Sequence, residues 1–593
     1  MVNHRLIVPF LCFFIISCGI QKPVIDVSTK NDKSEKLVIY QMMVRLFGNK
    51  QTLNKTNGTI SENGSGKFND IDEKALVELK KMGISHVWYT GIIEHATVTD
   101  YTAFGIKQDD PDIVKGLAGS PYAIKDYYDV DPDLAVNVQN KLDEFEALVK
   151  RTHEQELKVL IDFVPNHVAR TYNSDAKPEG VEDFGANDLK TELFNPKNDF
   201  YYIPGKKFIV PIGTNPGGDS FKHPMKDMFF DEPIARATGN NVFSENPSLN
   251  DWSETIKLNY GLDYSNKEKK YFDPIPPVWF KMRDILIYWA QKDVDGFRCD
   301  VAEMVPVEFW AWVIPEVKRV KPNVIFIAES YDPSSYQKFL STGQFDYLYD
   351  KVGVYDALKR LIRQDPKADV NDLSQLTIEQ DSFRDKMLLF LENHDEERIA
   401  SAGFAANPWH AVPAMVISAT LSGGPVMIYL GQEVGEPGLG NEGFGGEDNR
   451  TTIFDYWGVP EHQKWMNDGL FDGGKLSDDQ KKLREFYSTI LNFSNTNEAI
   501  IDGEFIELKN QQGFKKDHYS FLRYTSNERV LVVSNFNKDS ALKTIINLPS
   551  EIIHPRKKLK LTNVLTGEKF TVNNVQLGIP IDVPAMGACI FKF

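Results

Sequence analysis

The chain has 593 residues, 42% of them hydrophobic and 25% charged, ordinary values for a globular protein with a large buried core. No Pro/Gly/Ser excess or heptad run dominates it, which excludes wholesale disorder, collagen and coiled coil. A net charge of -17 would repel a phosphate backbone, so no nucleic-acid partner is expected, and four cysteines are too few for a disulfide scaffold.

The start carries one cation, Arg5, followed by an apolar run from Leu6 to Ile20 that is short for a spanning helix and right for a signal-peptide core. Within it Ile15-Ile16-Ser17-Cys18 resembles the bacterial lipobox. Residues 1–17 are therefore expected to be a lipoprotein signal peptide, with Cys18 lipidated. That would place the protein outside the cytoplasm, membrane-bound through the lipid anchor at the outer membrane, with a periplasmic location as the alternative. Residues 18–36 are polar and lack apolar periodicity, as a tether would.

From residue 37 short apolar runs bounded by turn residues recur at 38–44, 84–90, 158–164, 295–301, 323–329, 345–349, 386–392 and 425–431. Amphipathic patterns such as EKALVELKKMG and KLDEFEALVKRTHEQ lie between them. Strands alternating with helices predict parallel βαβ units, and eight of them predict a closed (β/α)8 TIM barrel, with a doubly wound open sheet as the alternative. The barrel is expected over 37–167 and 278–497. Residues 168–277, rich in Asn, Gly, Pro and aromatics, are too long for a loop and predict an inserted subdomain after strand three. From 498 to 593 the pattern changes to closely spaced strands, an antiparallel β-sandwich. The stretch 410–431 has no Asp, Glu, Lys or Arg, but Ser422-Gly423-Gly424-Pro425 divides it into a helix and a buried strand, not a membrane span.

Catalytic groups of a barrel sit at the C-terminal ends of its strands, where polar residues interrupt apolar runs. Strand four ends in Arg298-Cys299-Asp300, strand five in Glu329, and strand seven runs into Asn393-His394-Asp395. Arg298 and Asp300 are two apart and share a face, so the guanidinium is expected to keep Asp300 ionised, as a nucleophile requires. Glu329 follows Ile-Phe-Ile-Ala, where desolvation favours the protonated form of a carboxyl and suits a proton donor. A nucleophile plus an acid is the requirement of retaining glycoside hydrolysis.

The motifs DFVPNH (162–167), GFRCDVAEM (296–304), IFIAES (325–330) and LENHDEER (391–398) resemble, in order and spacing, the four conserved regions of the α-amylase family. SPYAIKDYYDVDP (120–132) adds to the match. The lipobox combination is similar to the surface starch-degrading lipoproteins of Bacteroides-type bacteria. The resemblance implies Asp300 as nucleophile, Glu329 as acid/base and Asp395 as the residue holding the distorted sugar's hydroxyls. It also implies that Arg298, His167, His394, Tyr122 and Arg398 line the sugar site. The implied activity is hydrolysis of α-1,4 bonds of starch-type glucans, with α-1,6 cleavage and transglycosylation left open and a non-catalytic surface glycan-binding lipoprotein as the non-enzymatic alternative. Glu303 and Met304 replace the Lys-His pair common after the nucleophile, and Glu303 is expected to face the leaving-group sugars. Asn166 matches a calcium ligand of many members, so calcium is a possible cofactor. The oxygen-rich loop 57–72 is a second candidate for a hard cation.

Overall fold

The computed structural model describes residues 35–440, 447–553 and 558–593, with Ile553 described by its backbone alone. The signal sequence, Cys18 and the tether up to residue 34 lie outside the described residues. The tether is expected to end at residue 36, but Lys36 belongs to the folded body. Its buried Nζ donates to the carbonyls of Ala419 (2.9 Å) and Ser422 (2.6 Å).

All eight predicted strands form, and they close into one parallel barrel. They are β1 (Val38–Met43), β2 (His86–Thr90), β3 (Lys158–Phe163) and β4 (Gly296–Cys299), then β5 (Ile325–Ala328), β6 (Tyr347–Tyr349), β7 (Met387–Phe390) and β8 (Val426–Tyr429). Neighbours follow chain order around the ring, and β1 closes it by pairing Tyr40 with Val87 of β2 and with Ile428 of β8. These strands are almost wholly buried, because the barrel packs one face and the surrounding helices cover the other. The open-sheet alternative is therefore excluded. Gly296, at the start of β4, is required by close approach. A Cβ there would lie 2.5 Å from Ile325 Cγ1 and 2.7 Å from Leu160 Cδ2 on the two neighbouring strands.

The helices α1 (Glu73–Lys81), α2 (Lys141–Glu154), α3 (Pro277–Gln291) and α4 (Val307–Val320) follow the first four strands. The helix α1 begins where Asp72 accepts the Ala75 N–H, and it buries the stripe Ala75, Leu76 and Leu79. The helix α5 (Val412–Thr420) connects β7 to β8 and is buried from Pro413 to Thr420. That burial on every side explains a charge-free segment without any membrane. Among the described residues no helix is long and apolar enough to cross one.

Two excursions interrupt the alternation on the catalytic side. Residues 164–276, close to the predicted insert, are mostly irregular. The strand His167–Ala169 pairs with Thr255–Lys257, so the insert is rooted on a residue assigned to the barrel. Buried ions hold it where periodicity does not: Arg170 pairs with Glu232 (2.6 Å) and donates to the carbonyls of Ser253 (2.7 Å) and Thr255 (3.1 Å). The second excursion, 91–140, is not foreseen in the sequence. It contains the paired strands Ile93–His95 and Ile124–Val130 and is pinned by buried Arg45, which contacts His95 Nε2 (2.6 Å) and donates to the Ala118 carbonyl (3.1 Å).

The C-terminal part is the predicted antiparallel sandwich, a six-stranded sheet facing a two-stranded one. In the strand Arg529–Asn535, Val530 and Val532 pack into the barrel's core, while Leu531 and Val533 pack into a separate core with Leu542, Ile546, Ile579 and Ile581. The period of two thus serves both layers.

Candidate active site

At the C-terminal end of the barrel a cavity of about 370 Å³ is lined by Asp300, Glu329, Asp395, Tyr122, His167, Trp252 and Tyr331. The three carboxylates singled out in the sequence therefore converge, each from the end of its own strand.

Alternation along β4 sends Phe297 and Cys299 into the packed core and Arg298 into the barrel. There the buried Arg298 guanidinium organises the acids. Its Nη1 donates to Asp300 Oδ1 at 2.7 Å and reaches Asp162 Oδ1 at 3.4 Å. Its Nη2 lies 2.8 Å from Glu329 Oε1, an ion pair in distance whose angle is poor for a hydrogen bond. Nε donates to the Tyr349 hydroxyl at 3.3 Å. The expectation that Arg298 keeps Asp300 ionised needs correction. Burial pushes the Asp300 carboxyl well above the usual range, the neighbouring Glu329 charge pushes it further, and Arg298 only opposes them.

Glu329 accepts two hydrogen bonds besides that ion pair: the Tyr331 hydroxyl donates to Oε1 at 2.8 Å and the Val301 N–H to Oε2 at 2.6 Å. Asp395 is presented by a turn in which its own N–H and that of Glu396 donate to Asn393 Oδ1, at 2.8 and 2.9 Å. Burial raises its pKa, but the interaction with His394 and the charges of Arg298 and Arg450 outweigh that and hold it below the ordinary value.

His394 and Tyr122 stack with centroids 5.2 Å apart, and His394 Nε2 lies 2.6 Å from the Tyr122 hydroxyl and 3.0 Å from Asp395 Oδ2. Gln41 Nε2 donates to His394 Nδ1 at 2.8 Å, which assigns the imidazole proton to Nε2, facing Tyr122 and Asp395. His167 lines the cavity beside Trp252, and burial, then Lys257, pushes its pKa down to about 3, so it is neutral.

Four predicted substrate contacts do not line the cavity: Arg298 and His394 are buried behind the acids they touch, and Arg398 and Glu303 are placed farther off. Arg398 is fully buried behind the site, bound to Glu392 Oε2 (3.1 Å), the Leu430 carbonyl (2.7 Å) and Thr451 Oγ1 (2.9 Å), and it does not line the cavity. Glu303 accepts hydrogen bonds from the loop after β5 and lines a different cavity. A charged residue close to a motif in sequence need not share its direction in space.

The calcium expectation meets a specific obstacle. Asn166 Oδ1 accepts from the buried Lys257 Nζ, and Asn166 Nδ2 donates to the Gly239 carbonyl at 2.8 Å. Lys257 also donates to the Met304 carbonyl at 3.2 Å, so a lysine side chain joins the loops after β3 and β4 and takes the oxygen a metal would need. The residues around Asn166 do not fit a calcium ion. In the loop 57–72 the oxygens are likewise spent: Glu62 caps the Thr59 N–H, Asn63 Oδ1 accepts from Lys55 N, and Asp72 caps α1. Among the described residues no group of three or more His, Cys, Asp or Glu side chains could hold a metal ion.

Sequence reasoning missed Asp162, Tyr331 and Trp252. Asp162 had a signal, since alternation along β3 puts it inward, where it accepts from Trp88 Nε1 (3.1 Å) and Gly91 N (3.3 Å). Trp252 had none, because it reaches the cavity from the irregular insert.

Residues 50–455 match the family model "Alpha amylase, catalytic domain". Alpha-amylase 3 of Dictyoglomus thermophilum is 22% identical over 452 residues, covering 73% of this chain and 76% of that protein. A cyclomaltodextrinase of a Bacillus species is 23% identical over 514 residues, 84% of this chain and 73% of its own. The crystal structure of a maltogenic α-amylase from Thermotoga neapolitana superposes with a TM-score of 0.60 at 22% identity, covering 94% of this chain and 98% of that one, a likeness of fold. With the family model spanning more than half of its length, the barrel closed and the acids at its mouth, the chain belongs to the α-amylase family of glycoside hydrolases.

Proposed function

We propose that this enzyme hydrolyses α-1,4-glucosidic bonds of starch-type glucans and maltooligosaccharides with retention of configuration. The observation that carries the reading is the single Arg298 guanidinium paired with both Asp300 and Glu329. Sharing one guanidinium draws both acids to one point of the barrel mouth, and retention requires a nucleophile and an acid/base that flank the scissile bond about 5 to 5.5 Å apart. Catalysis requires the state in which Glu329 carries the proton and Asp300 the charge. Glu329 gives its proton to the glycosidic oxygen as Asp300 attacks the anomeric carbon, the C–O bond breaks, and a glycosyl ester forms on Asp300. Water then enters, loses its proton to Glu329 and displaces the ester, which restores both groups. Asp395 and neutral His167 bind hydroxyls of the sugar at the reacting subsite, and Tyr122 backs its ring. Chromatography of products from amylose, with proton NMR of the first anomer released, tests the reading: maltooligosaccharides of α configuration are expected. A β-anomer appearing first, or no cleavage of amylose, would overturn it.

The reading extends to location. Export and lipidation at Cys18 would hold the enzyme on a membrane facing external glucan, where several acyl chains anchor stably at ~0.8 kcal/mol per buried CH₂. Cys18→Ala should release the protein to the soluble fraction of its native host. Unchanged membrane fractionation would count against lipidation.

A further inference from the structure

Glu303 stands three residues beyond Asp300, yet it is not a wall of the catalytic cavity. Through one oxygen, Oε2, it accepts three hydrogen bonds from the loop after β5: from Ser330 Oγ (2.9 Å), Tyr331 N (2.9 Å) and Asp332 N (3.0 Å). Tyr331 is thereby held by its backbone while its side chain returns to the cavity and donates to Glu329 Oε1. The other Glu329 oxygen is met by the N–H of Val301, two residues before Glu303. Val301 sits at φ +36° and ψ +46°, left-handed backbone that is costly for a β-branched residue. Strain of this kind persists only where surrounding contacts enforce it. The enforcing contacts are at hand: the Ala302 N–H donates to the Glu329 carbonyl at 3.1 Å, Trp310 Nε1 donates to the Ala302 carbonyl at 3.1 Å, and Glu303 fastens the same turn to the next loop.

We propose that Glu303 is a positioning residue for proton donation by Glu329: its carboxylate clamps the loop after β5 to the turn after β4, so that the Tyr331 hydroxyl and the Val301 amide fix both Glu329 oxygens. This rests on Glu329 being the acid/base, and the experiment separates the two claims. The kcat/KM of wild type, Glu303→Ala, Glu303→Gln, Tyr331→Phe and Glu329→Gln is measured on maltoheptaose, whose leaving group needs a proton, and on 2,4-dinitrophenyl α-maltoside, whose leaving group does not.

Glu303→Ala should lose roughly 10- to 100-fold on maltoheptaose, the cost of misplacing a catalytic group, and no more than about threefold on the dinitrophenyl glycoside. Glu303→Gln keeps an acceptor oxygen for the three donors and should recover most of the loss. Tyr331→Phe removes one hydroxyl without disturbing the backbone clamp and should show the same asymmetry in smaller degree, which keeps the test open if the alanine variant folds poorly. Equal losses on both substrates, or failure of Gln to rescue, would overturn the positioning role. If Glu329→Gln itself shows no asymmetry between the substrates, the reading of Glu329 fails. If it does and Glu303→Ala does not, only the clamp fails.

Discussion

Arg298 faces three carboxylates, Asp162, Asp300 and Glu329, within its reach, so this buried cluster holds more negative charge than it can neutralise. Burial and this repulsion push the Asp300 pKa up, and folding gains nothing from the excess. The sign of the stability effect follows from Asp300. Its pKa in the folded protein is raised, so its favourable contribution is complete below the unfolded value of about 4 and is lost as pH rises through the folded value. Asp300→Asn removes the charge and keeps the shape. It should abolish turnover on maltooligosaccharides yet melt about 1 to 3 °C above wild type at pH 7, with the gain shrinking toward pH 4. Scanning calorimetry at the two pH values decides this. A variant that melts lower at both would mean that the Asp300 charge stabilises the fold.

Among the elements, the strands were legible and the long loops were not. Each barrel strand is an apolar run with turn residues at both ends, and an acid that ends such a run has only the barrel mouth to occupy; Asp300, Glu329 and Asp395 were found in this way. The excursions 91–140 and 164–276 are ordered by contacts distant in sequence, such as Arg45 with His95 and Arg170 with Glu232, and no periodicity announces those. Lys257 belongs to this class. Read in sequence it is one more lysine, but in the fold its pKa is pushed down to about 7 by burial and it reaches both Asn166 and the Met304 carbonyl, supplying donors from within the chain. The wild-type melting temperature should therefore be unchanged by EDTA or by added calcium. Lys257→Met should lose about 1 to 3 kcal/mol, the cost of leaving Asn166 Oδ1 and the carbonyl unpaired in a buried place. A drop of several degrees with EDTA, reversed by calcium, would contradict the fit.

At the scale of the whole molecule, barrel and sandwich share one side of a sheet. Ser534 Oγ of the sandwich donates to the Pro413 carbonyl on α5 (3.2 Å). The sandwich therefore backs the helix that joins β7 to β8. That both layers exist was readable from the change in strand spacing near residue 498, whereas their seam depends on which face of Arg529–Asn535 meets α5, and alternation alone does not choose. The central claim, however, concerns one bond: the ester that Asp300 forms with the anomeric carbon. Its most direct test is to incubate the Glu329→Gln variant with a fluorinated maltosyl fluoride, which forms the intermediate without acid assistance and releases it slowly, and to locate the adduct by peptide mass spectrometry. A single sugar adduct on Asp300 is the expected result. An adduct on Asp162, Asp395 or another side chain, or none while fluoride is still released, would contradict it.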